Sequence, residues 1–201
     1  MSNMMKRKGL GNSLPMSAPE IVEGNFYCFS DGLTSLNGAP RSVSGDFFCN
    51  KNNLTSLEGA PKRVGGFFDC SSNLLTSLEG APERGGGSFL CFNNQLTSLQ
   101  GGPKRVVGDF SCSNNRLTSL EGAPEIVEGN FFCFCNQLTS LEGGPKRVDG
   151  DFSCFNNRLT SLEGAPKFVG GNFISEHFTN AYYIAYIESI LFRSYIPPPV
   201  R

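Results

Sequence analysis

The sequence is poor in the residues and runs that mark several common classes of protein. It contains one histidine, His177, and no zinc-binding motif, P-loop or dinucleotide fingerprint, so metal and nucleotide chemistry find no support in its motifs. The formal net charge of −1 argues against a dedicated nucleic-acid binder. No apolar run is long enough to cross a bilayer, and residues 1–15 lack the apolar core of a secretory signal. We therefore expect a protein that is not an enzyme and that has no cofactor, no metal, no nucleic-acid partner and no membrane partner.

The sequence does contain one motif that is repeated every 21 residues. Its clearest copy is residues 108–124, which read GDFSCSNNRLTSLEGAP. The element Leu-Thr-Ser-Leu begins at constant spacing at Leu33, Leu54, Leu75, Leu96, Leu117, Leu138 and Leu159. A fixed period of this length, with strand-like alternation of apolar residues, predicts a repeat solenoid in which each coil contacts its neighbours.

Stacking the coils turns each repeated position into a column. Side chains alternate across a strand, so the Phe and Cys of Phe-x-Cys point to one face, which we expect to be the interior. The Phe column is Phe26, Phe47, Phe68, Phe89, Phe110, Phe131, Phe152 and Phe173. The Cys column is Cys28, Cys49, Cys70, Cys91, Cys112, Cys133 and Cys154. The Leu residues and a Val column complete this interior, and Gly85 replaces the Val of its coil, which predicts underpacking there.

A column of Asn residues follows the Cys column, and Gly and Pro follow the Leu residues. An Asn amide supplies donors and an acceptor to a buried turn, so we interpret this column as structural. It consists of Asn52, Asn73, Asn94, Asn115, Asn136 and Asn157. The Pro of each coil predicts an extended return path without a helix.

The units F-x-C-x-x-N-x-L-T-S-L resemble the leucine-rich-repeat pattern L-x-L-x-x-N-x-L-x-x-L over residues 19–174. The short period is similar to repeats of bacterial secreted effectors, and L-E-G-A-P-K-R-V-G-G looks like repeats of phage and large-virus proteins. The resemblance implies a right-handed leucine-rich-repeat superhelix with a concave parallel β-sheet and an extended convex side. It implies no particular function, because this fold serves many partners.

The sequence predicts three segments. Residues 1–18 form an N-terminal tail and partial cap, with Leu10 and Leu14 in a degenerate half-coil or a frayed end. Residues 19–174 form the solenoid. Residues 175–201 form a C-terminal helical cap and a Pro-rich tail, since the apolar residues of 184–195 share one helical face and three prolines follow. Self-association through this helix is a hypothesis, because its opposite side is also apolar.

The eight cysteines do not predict disulfides or a metal site. Seven lie in one inward column, where neighbours about 4.8 Å apart have parallel Cβ directions unsuited to a disulfide. We interpret them as buried free thiols, which favours a reducing compartment such as the cytoplasm, whether of a host cell or within a virion. Cys135 falls outside the column, and an enzymatic role for it is an alternative hypothesis.

Charged residues recur at fixed positions of the return segments. Lys62-Arg63, Lys104-Arg105 and Lys146-Arg147 lie on alternate coils, and an acidic column precedes them. We expect a solvated face on which these charges screen one another. The acidic column is Glu58, Glu79, Glu121, Glu142 and Glu163.

The positions that flank Phe and Cys on each strand should face outward on the concave sheet. Many are aromatic or acidic, a combination typical of protein-binding surfaces, although aromatic residues also favour strands for their own sake. The candidate partner-binding residues are Tyr27, Phe29, Phe48, Asp69, Phe92, Asp109, Phe132, Phe134, Asp151 and Phe155. The sequence thus favours a non-enzymatic protein-interaction module. The alternative is a structural or adhesive component of a virus or phage particle.

Overall fold

The computed structural model describes residues 5–6, 14 and 19–176, and within them the chain winds as a parallel β-solenoid. Phe26 and Phe173 occupy the same position of the repeat and are separated by about seven turns of 21 residues. Every strand in the described part is two residues long. The repeat solenoid predicted from the 21-residue period is therefore confirmed.

One strand of each turn joins a nine-stranded parallel sheet, here called the long sheet. Its strands in spatial order are β1 (Met5–Lys6), β3 (Phe26–Tyr27), β5 (Phe47–Phe48), β7 (Phe68–Asp69), β9 (Phe89–Leu90), β11 (Phe110–Ser111), β13 (Phe131–Phe132), β15 (Phe152–Ser153) and β17 (Phe173–Ile174). Neighbouring strands pair 21 residues apart, so that Phe110 lies beside both Phe89 and Phe131. Equivalent sequence positions therefore stack in columns.

The other strand of each turn joins one of two four-stranded sheets. The first short sheet contains β2 (Ile21–Val22), β4 (Ser42–Val43), β6 (Arg63–Val64) and β8 (Arg84–Gly85). The second contains β10 (Arg105–Val106), β12 (Ile126–Val127), β14 (Arg147–Val148) and β16 (Phe168–Val169). The two short sheets meet without pairing at Gly85. A Cβ placed on Gly85 meets no atom within 4 Å, and a pocket lined in part by Phe68, Phe89 and Val106 lies beside it. The predicted underpacking of this coil is confirmed.

The interior is built from the predicted columns. Each Phe of the Phe column is at most 5% exposed, and successive rings stack with centroids 5.1–5.7 Å apart. The Cys column and the Leu residues are buried beside them. Burial of one such Phe or Leu contributes roughly 1.5–3 kcal/mol before conformational entropy is subtracted. Because each side chain is covered by its equivalents in the next turns, the core belongs to the stack and not to any one turn.

The Asn column links successive turns, as predicted. In Asn115, Oδ1 accepts a hydrogen bond from the backbone N–H of Leu96 at 3.0 Å. Its Nδ2 donates to the carbonyl oxygens of Cys91 and Cys112 at 3.1 and 3.0 Å. One amide thereby satisfies buried backbone groups of two turns, which explains why the position is Asn in six consecutive units.

Two further columns require a left-handed backbone. At the turn after Leu57, the N–H of Ala60 donates to the Leu57 carbonyl at 2.9 Å, and Gly59 has a φ of +86°. A Cβ at Gly59 would lie 2.8 Å from the carbonyl carbon of Leu36, so both the dihedral and the close approach require glycine. The second such column has φ values of 52–57° and consists of Ser30, Lys51, Ser72, Asn93, Asn114, Cys135 and Asn156.

At the N-terminal end, Met5 of β1 pairs with Phe26 and therefore continues the Phe column by one more strand. Leu14 is 6% exposed and belongs to the same core. At the other end, the helix predicted over residues 175–196 lies outside the described residues from 177 onward, as do His177 and the Pro-rich tail. In the part of the chain that the structure describes, no helix is long and apolar enough to span a membrane.

Candidate interaction surface

The candidate residues lie on the face of the long sheet opposite the Phe and Cys columns. We number its rungs 1 to 8, from β3 to β17, and name three rows of outward positions. The edge row precedes Phe and consists of Asn25, Asp46, Phe67, Ser88, Asp109, Asn130, Asp151 and Asn172. The middle row lies between Phe and Cys and consists of Tyr27, Phe48, Asp69, Leu90, Ser111, Phe132, Ser153 and Ile174. The exit row follows Cys and consists of Phe29, Asn50, Ser71, Phe92, Ser113, Phe134, Phe155 and Glu176.

The edge row is a ladder of side-chain hydrogen bonds to the backbone. An Oδ1 atom of Asp109 accepts from the backbone N–H and the Nδ2 of Asn130, at 2.8 and 3.0 Å. Asp151 does the same for Asn172, at 2.7 and 3.3 Å. The carboxylates of Asp109 and Asp151, which the sequence suggested as partner-binding groups, thus bind the next turn of their own chain. These positions are polar because their side chains hydrogen-bond to the backbone of the next turn, a role that the sequence analysis missed. The signal was present, since seven of the eight edge-row positions are Asn, Asp or Ser.

Two aromatic clusters lie on this surface. The N-terminal cluster is Tyr27, Phe29 and Phe48, in which Tyr27 stacks on Phe48 with ring centroids 5.3 Å apart and meets Phe29 edge to face at 6.2 Å. Phe29 is 37% exposed, and the other two are half-buried. The cluster is held by the pairing of β3 with β5, which places the two middle-row rings side by side.

The C-terminal cluster is Phe132, Phe134 and Phe155. Phe134 stacks on Phe155 at 4.7 Å, and Phe132 meets Phe134 edge to face at 6.2 Å. Phe155 is 36% exposed. Phe92, on rung 4, lies between the two clusters and is half-buried. The structure therefore places all seven aromatic candidate residues on one surface, and six of them form two clusters.

Not every outward position reaches solvent. Asp69 is only 8% exposed, so this candidate residue presents little of its carboxylate to solvent although its position faces outward. Ser111 and Ser153 are 6% and 2% exposed although they point away from the core. The cause is the register, because a small side chain lies between larger ones on the adjacent strands: Ser111 pairs with Leu90 and with Phe132. Small residues in these rows are covered by their neighbours.

The carboxylate of Asp69 lies in one of these depressions. Its Oδ1 accepts a hydrogen bond from the backbone N–H of Ser71 at 2.9 Å. Burial raises the pKa of Asp69, and the hydrogen bonds from Ser71 and the nearby charge of Lys51 oppose this rise. This environment weakens the group as an exposed ionic contact.

The thiols inside the solenoid are poorly suited to chemistry. None of the eight cysteines, all within the described part of the chain, forms a disulfide. Burial raises the pKa of Cys28 and of Cys154 to about 12, and it raises the pKa of Cys112 well above its ordinary range. The S–H groups of Cys70, Cys91, Cys133 and Cys154 donate to backbone carbonyls of the next turn, at 3.2 Å in the contact from Cys91 to Ser111. The prediction of an inward column of free thiols is confirmed.

Cys135 stands outside that column, as predicted, and is half-buried. It occupies the left-handed column described above, with a φ of 56°. Its Sγ accepts a hydrogen bond from Nδ2 of Asn156 at 3.1 Å. Asn at three equivalent positions was a signal of the left-handed backbone. Among the described residues, no group of three or more His, Cys, Asp or Glu side chains is arranged to hold a metal ion.

The charged residues of the short sheets form exposed ion pairs. Lys146 Nζ lies 2.7 Å from Glu125, and Arg147 Nε lies 2.6 Å from Asp149. Arg147 also lies over the ring of Phe168, 4.7 Å from its centroid. These exposed pairs fit the expected solvated face on which charges screen one another, and their acids are Glu125 and Asp149, which are not members of the Glu column. Exposed pairs of this kind contribute little stability, about 0–1 kcal/mol each.

Comparison of the chain with protein-family models, with curated proteins and with solved structures finds no match in any of the three. The class of protein is therefore the one that the fold defines, a parallel β-solenoid with 21-residue turns.

Proposed function

We propose that this solenoid is a non-enzymatic protein-interaction module and that its binding surface is the outer face of the long sheet. The observation that carries the proposal is the pair of aromatic clusters, on which Phe29 and Phe155 remain more than one-third exposed. Aromatic side chains are enriched at the centres of protein interfaces, because they bury a large area with few rotatable bonds. Large exposed apolar patches are uncommon without a use.

The backbone supports this role. The middle-row rings Tyr27, Phe48 and Phe132 stand on two-residue strands that are paired on both sides, and the residues before and after each ring are buried, as Phe131 and Cys133 are around Phe132. The exit-row rings of the two clusters each follow directly after a buried Cys. A surface fixed in this way is organised before it binds, so little conformational entropy is lost on association. The same rigidity and the raised pKa of the buried thiols disfavour an enzymatic role for them.

The finer assignments belong to the same proposal. Membership of the leucine-rich-repeat class, right-handed coiling and a concave long sheet rest on the resemblance of the F-x-C-x-x-N-x-L-T-S-L units to the pattern L-x-L-x-x-N-x-L-x-x-L of that class. A role in a virus or phage particle rests on the likeness of the L-E-G-A-P-K-R-V-G-G segment to viral repeats, and detection of the chain in purified particles would support it. Residence in a reducing compartment is proposed from the free thiols.

The test is a pair of substitutions in the C-terminal cluster. Phe132→Ser together with Phe134→Ser removes two rings that lie outside the core, so we expect loss of partner capture by more than about tenfold with a small change in thermal stability. The measurement is quantitative affinity capture, with the melting temperature of each variant recorded in parallel.

Phe168→Ser is the matched control. Phe168 is 46% exposed but belongs to β16 in the second short sheet, so its loss should leave capture unchanged. Capture that is indifferent to the double substitution, or equally reduced by Phe168→Ser, would contradict the assignment of the surface.

A further inference from the structure

The outer face of the long sheet alternates in height from rung to rung over rungs 3 to 6. Rung 4 carries Leu90 and Phe92, which form a ridge, whereas rung 5 carries Ser111 and Ser113, which are 6% and 3% exposed and form a furrow. Neighbouring strands lie about 4.8 Å apart, so ridges separated by one furrow recur about every 9.6 Å. A partner that follows this face over several turns needs ridges of the same pitch.

The stack is also nearly untwisted. The ring planes of Phe131 and Phe152 differ by 3°, and those of Phe26 and Phe47 by 5°; the largest difference in the Phe column is the 28° between Phe68 and Phe89. Successive rungs are therefore related mainly by translation, and the ridges run parallel to one another. Parallel ridges of this kind suit packing against the ridges and furrows of another sheet, at a separation of about 10 Å.

From this pitch we propose that the partner of the surface is a second copy of this chain, an inference that rests on the proposed function and names its partner. The two copies face each other across a twofold axis that is parallel to the strands and passes between rungs 4 and 5. Rotation about this axis leaves the strands of the two copies parallel, and it reverses the order of the turns in the second copy relative to the first. Rung 4 then faces rung 5 of the other copy, and each residue faces its own row.

At the centre of this arrangement a ridge enters a furrow. Leu90 faces Ser111 of the second copy, and Phe92 faces Ser113. The alternative is a twofold axis that runs along the solenoid. It would place each rung against the same rung of the second copy, so the ridge of Leu90 and Phe92 would meet an identical ridge. Steric fit therefore selects the axis parallel to the strands.

The rungs further out repeat this complementarity. Rung 2 carries Phe48 in the middle row and Asn50 in the exit row, whereas rung 7 carries Ser153 and Phe155. Phe48 thus faces Ser153, and Asn50 faces Phe155, so that a large side chain meets a smaller one in both rows. The match is specific to this pairing of rungs, because rung 2 against rung 6 would set Phe48 against a Phe.

Rungs 3 and 6 follow the same rule. Asp69 and Ser71, which are 8% and 2% exposed, form a furrow that receives Phe132 and Phe134. Covering Asp69 with a ring adds to the burial that already raises its pKa, so this contact favours the neutral carboxyl. At the ends, where rung 1 faces rung 8, Tyr27 of the N-terminal cluster faces Ile174, which is 41% exposed.

The size and the charges of the face set the expected affinity. Eight rungs and two rows span about 38 by 10 Å, so each copy covers a footprint of about 400 Å², which is small for a stable dimer. The edge rows also oppose Asp46 to Asp151. We therefore expect a dissociation constant in the micromolar range that falls as salt screens these carboxylates.

The experiment exchanges a ridge and a furrow. Ser111→Leu places Leu against Leu90 of the second copy and should weaken the dimer at least tenfold. Adding Leu90→Ser restores one large and one small side chain at both symmetry-related contacts, so the double variant should dimerise within threefold of the natural chain. Sedimentation equilibrium of the full chain over a concentration series measures both, and the melting temperature confirms that each variant is folded.

Three outcomes would overturn the inference: a natural chain that stays monomeric about a hundredfold above the expected dissociation constant, a Ser111→Leu chain that dimerises normally, or a double variant that is not rescued. If capture of another protein still depends on Phe132 and Phe134, the proposed function survives such a result. A monomer without any capture that depends on these rings contradicts both proposals.

Discussion

The two faces of the long sheet are built from the same strands, but the residues of the inner face are uniform from turn to turn and those of the outer face vary. Inward positions hold Phe in every rung and Cys in rungs 1–7, whereas the middle and exit rows between and after them change from rung to rung. An inner residue has to fit identical copies of itself on both sides, so its column is uniform. An outer residue has to fit only its row neighbours. Uniform columns therefore define the fold, and the varied rows form the surface that we propose binds a partner.

Burial alone does not separate the two faces. Ser153, on the outer face, is 2% exposed, and Cys154, on the inner face, is 1% exposed. The Cys thiol is covered by the core, whereas the Ser hydroxyl is covered by Phe132 and Ile174 on the adjacent strands. Direction of the side chain, and not exposed area, distinguishes a structural position from a position in the candidate surface.

The largest change in the free energy of unfolding should come from raising the pH, because the thiols of the inner face are buried. An unfolded thiol ionises around its ordinary pKa of 9.0, whereas burial raises the pKa of folded Cys28 to about 12. Above pH 9 the folded chain therefore binds more protons than the unfolded chain, so the free energy of unfolding falls as pH rises, by up to about 1.4 kcal/mol per pH unit for each thiol. With seven such thiols in the column, we expect alkaline unfolding before pH 12.

Denaturant unfolding measured from pH 8 upward checks this expectation. Cys112→Ala removes one buried titrating group and should make the pH dependence shallower by about one proton, whatever its own cost in stability. Cys135→Ala, outside the column, is the control. A slope that is unchanged by Cys112→Ala would mean that the thiols do not limit stability at high pH.

The next effect compares one ring on each face. Phe110 is fully buried and stacks on Phe89 and Phe131, so Phe110→Ala should lower the free energy of unfolding by about 3–5 kcal/mol. Phe155 stacks on Phe134 at 4.7 Å but is 36% exposed, so Phe155→Ala should cost only about 0.5–1.5 kcal/mol. Chemical denaturation of the two variants gives the comparison, and equal losses would remove the distinction between the faces.

The third effect, smaller than the loss expected for Phe110→Ala, is a gain in stability on the inner side of the short sheets. Gly85→Val should fill the gap between Val64 and Val106, join the two short sheets and stabilise the chain by about 1–3 kcal/mol. Gly86→Val is the matched control, because its Cβ would overlap the carbonyl oxygen of Gly65. The readout is the melting temperature, which should rise for Gly85→Val and fall for Gly86→Val; the reverse order would show that the gap is not a packing defect.

Much of the fold was predictable because equivalent positions carry the same type of residue in many successive turns. The Phe, Cys and Asn columns could be assigned from alternation and from the hydrogen-bonding capacity of an amide, and Gly85 could be identified as a gap. The surface was less predictable. Asp109 and Asp151 looked like recognition groups until their hydrogen bonds to Asn130 and Asn172 were seen. A single carboxylate in a sequence carries no sign of whether its acceptor is used by the backbone.

The sequence by itself determined the period, the direction of each column and the composition of the core, because local alternation and turn chemistry depend on residues close in the chain. Only the tertiary structure decided which outward side chains are covered and which rings meet across turns. Those outcomes depend on residues 21 apart that become neighbours at one strand spacing, where the size of each side chain sets the exposure of the next.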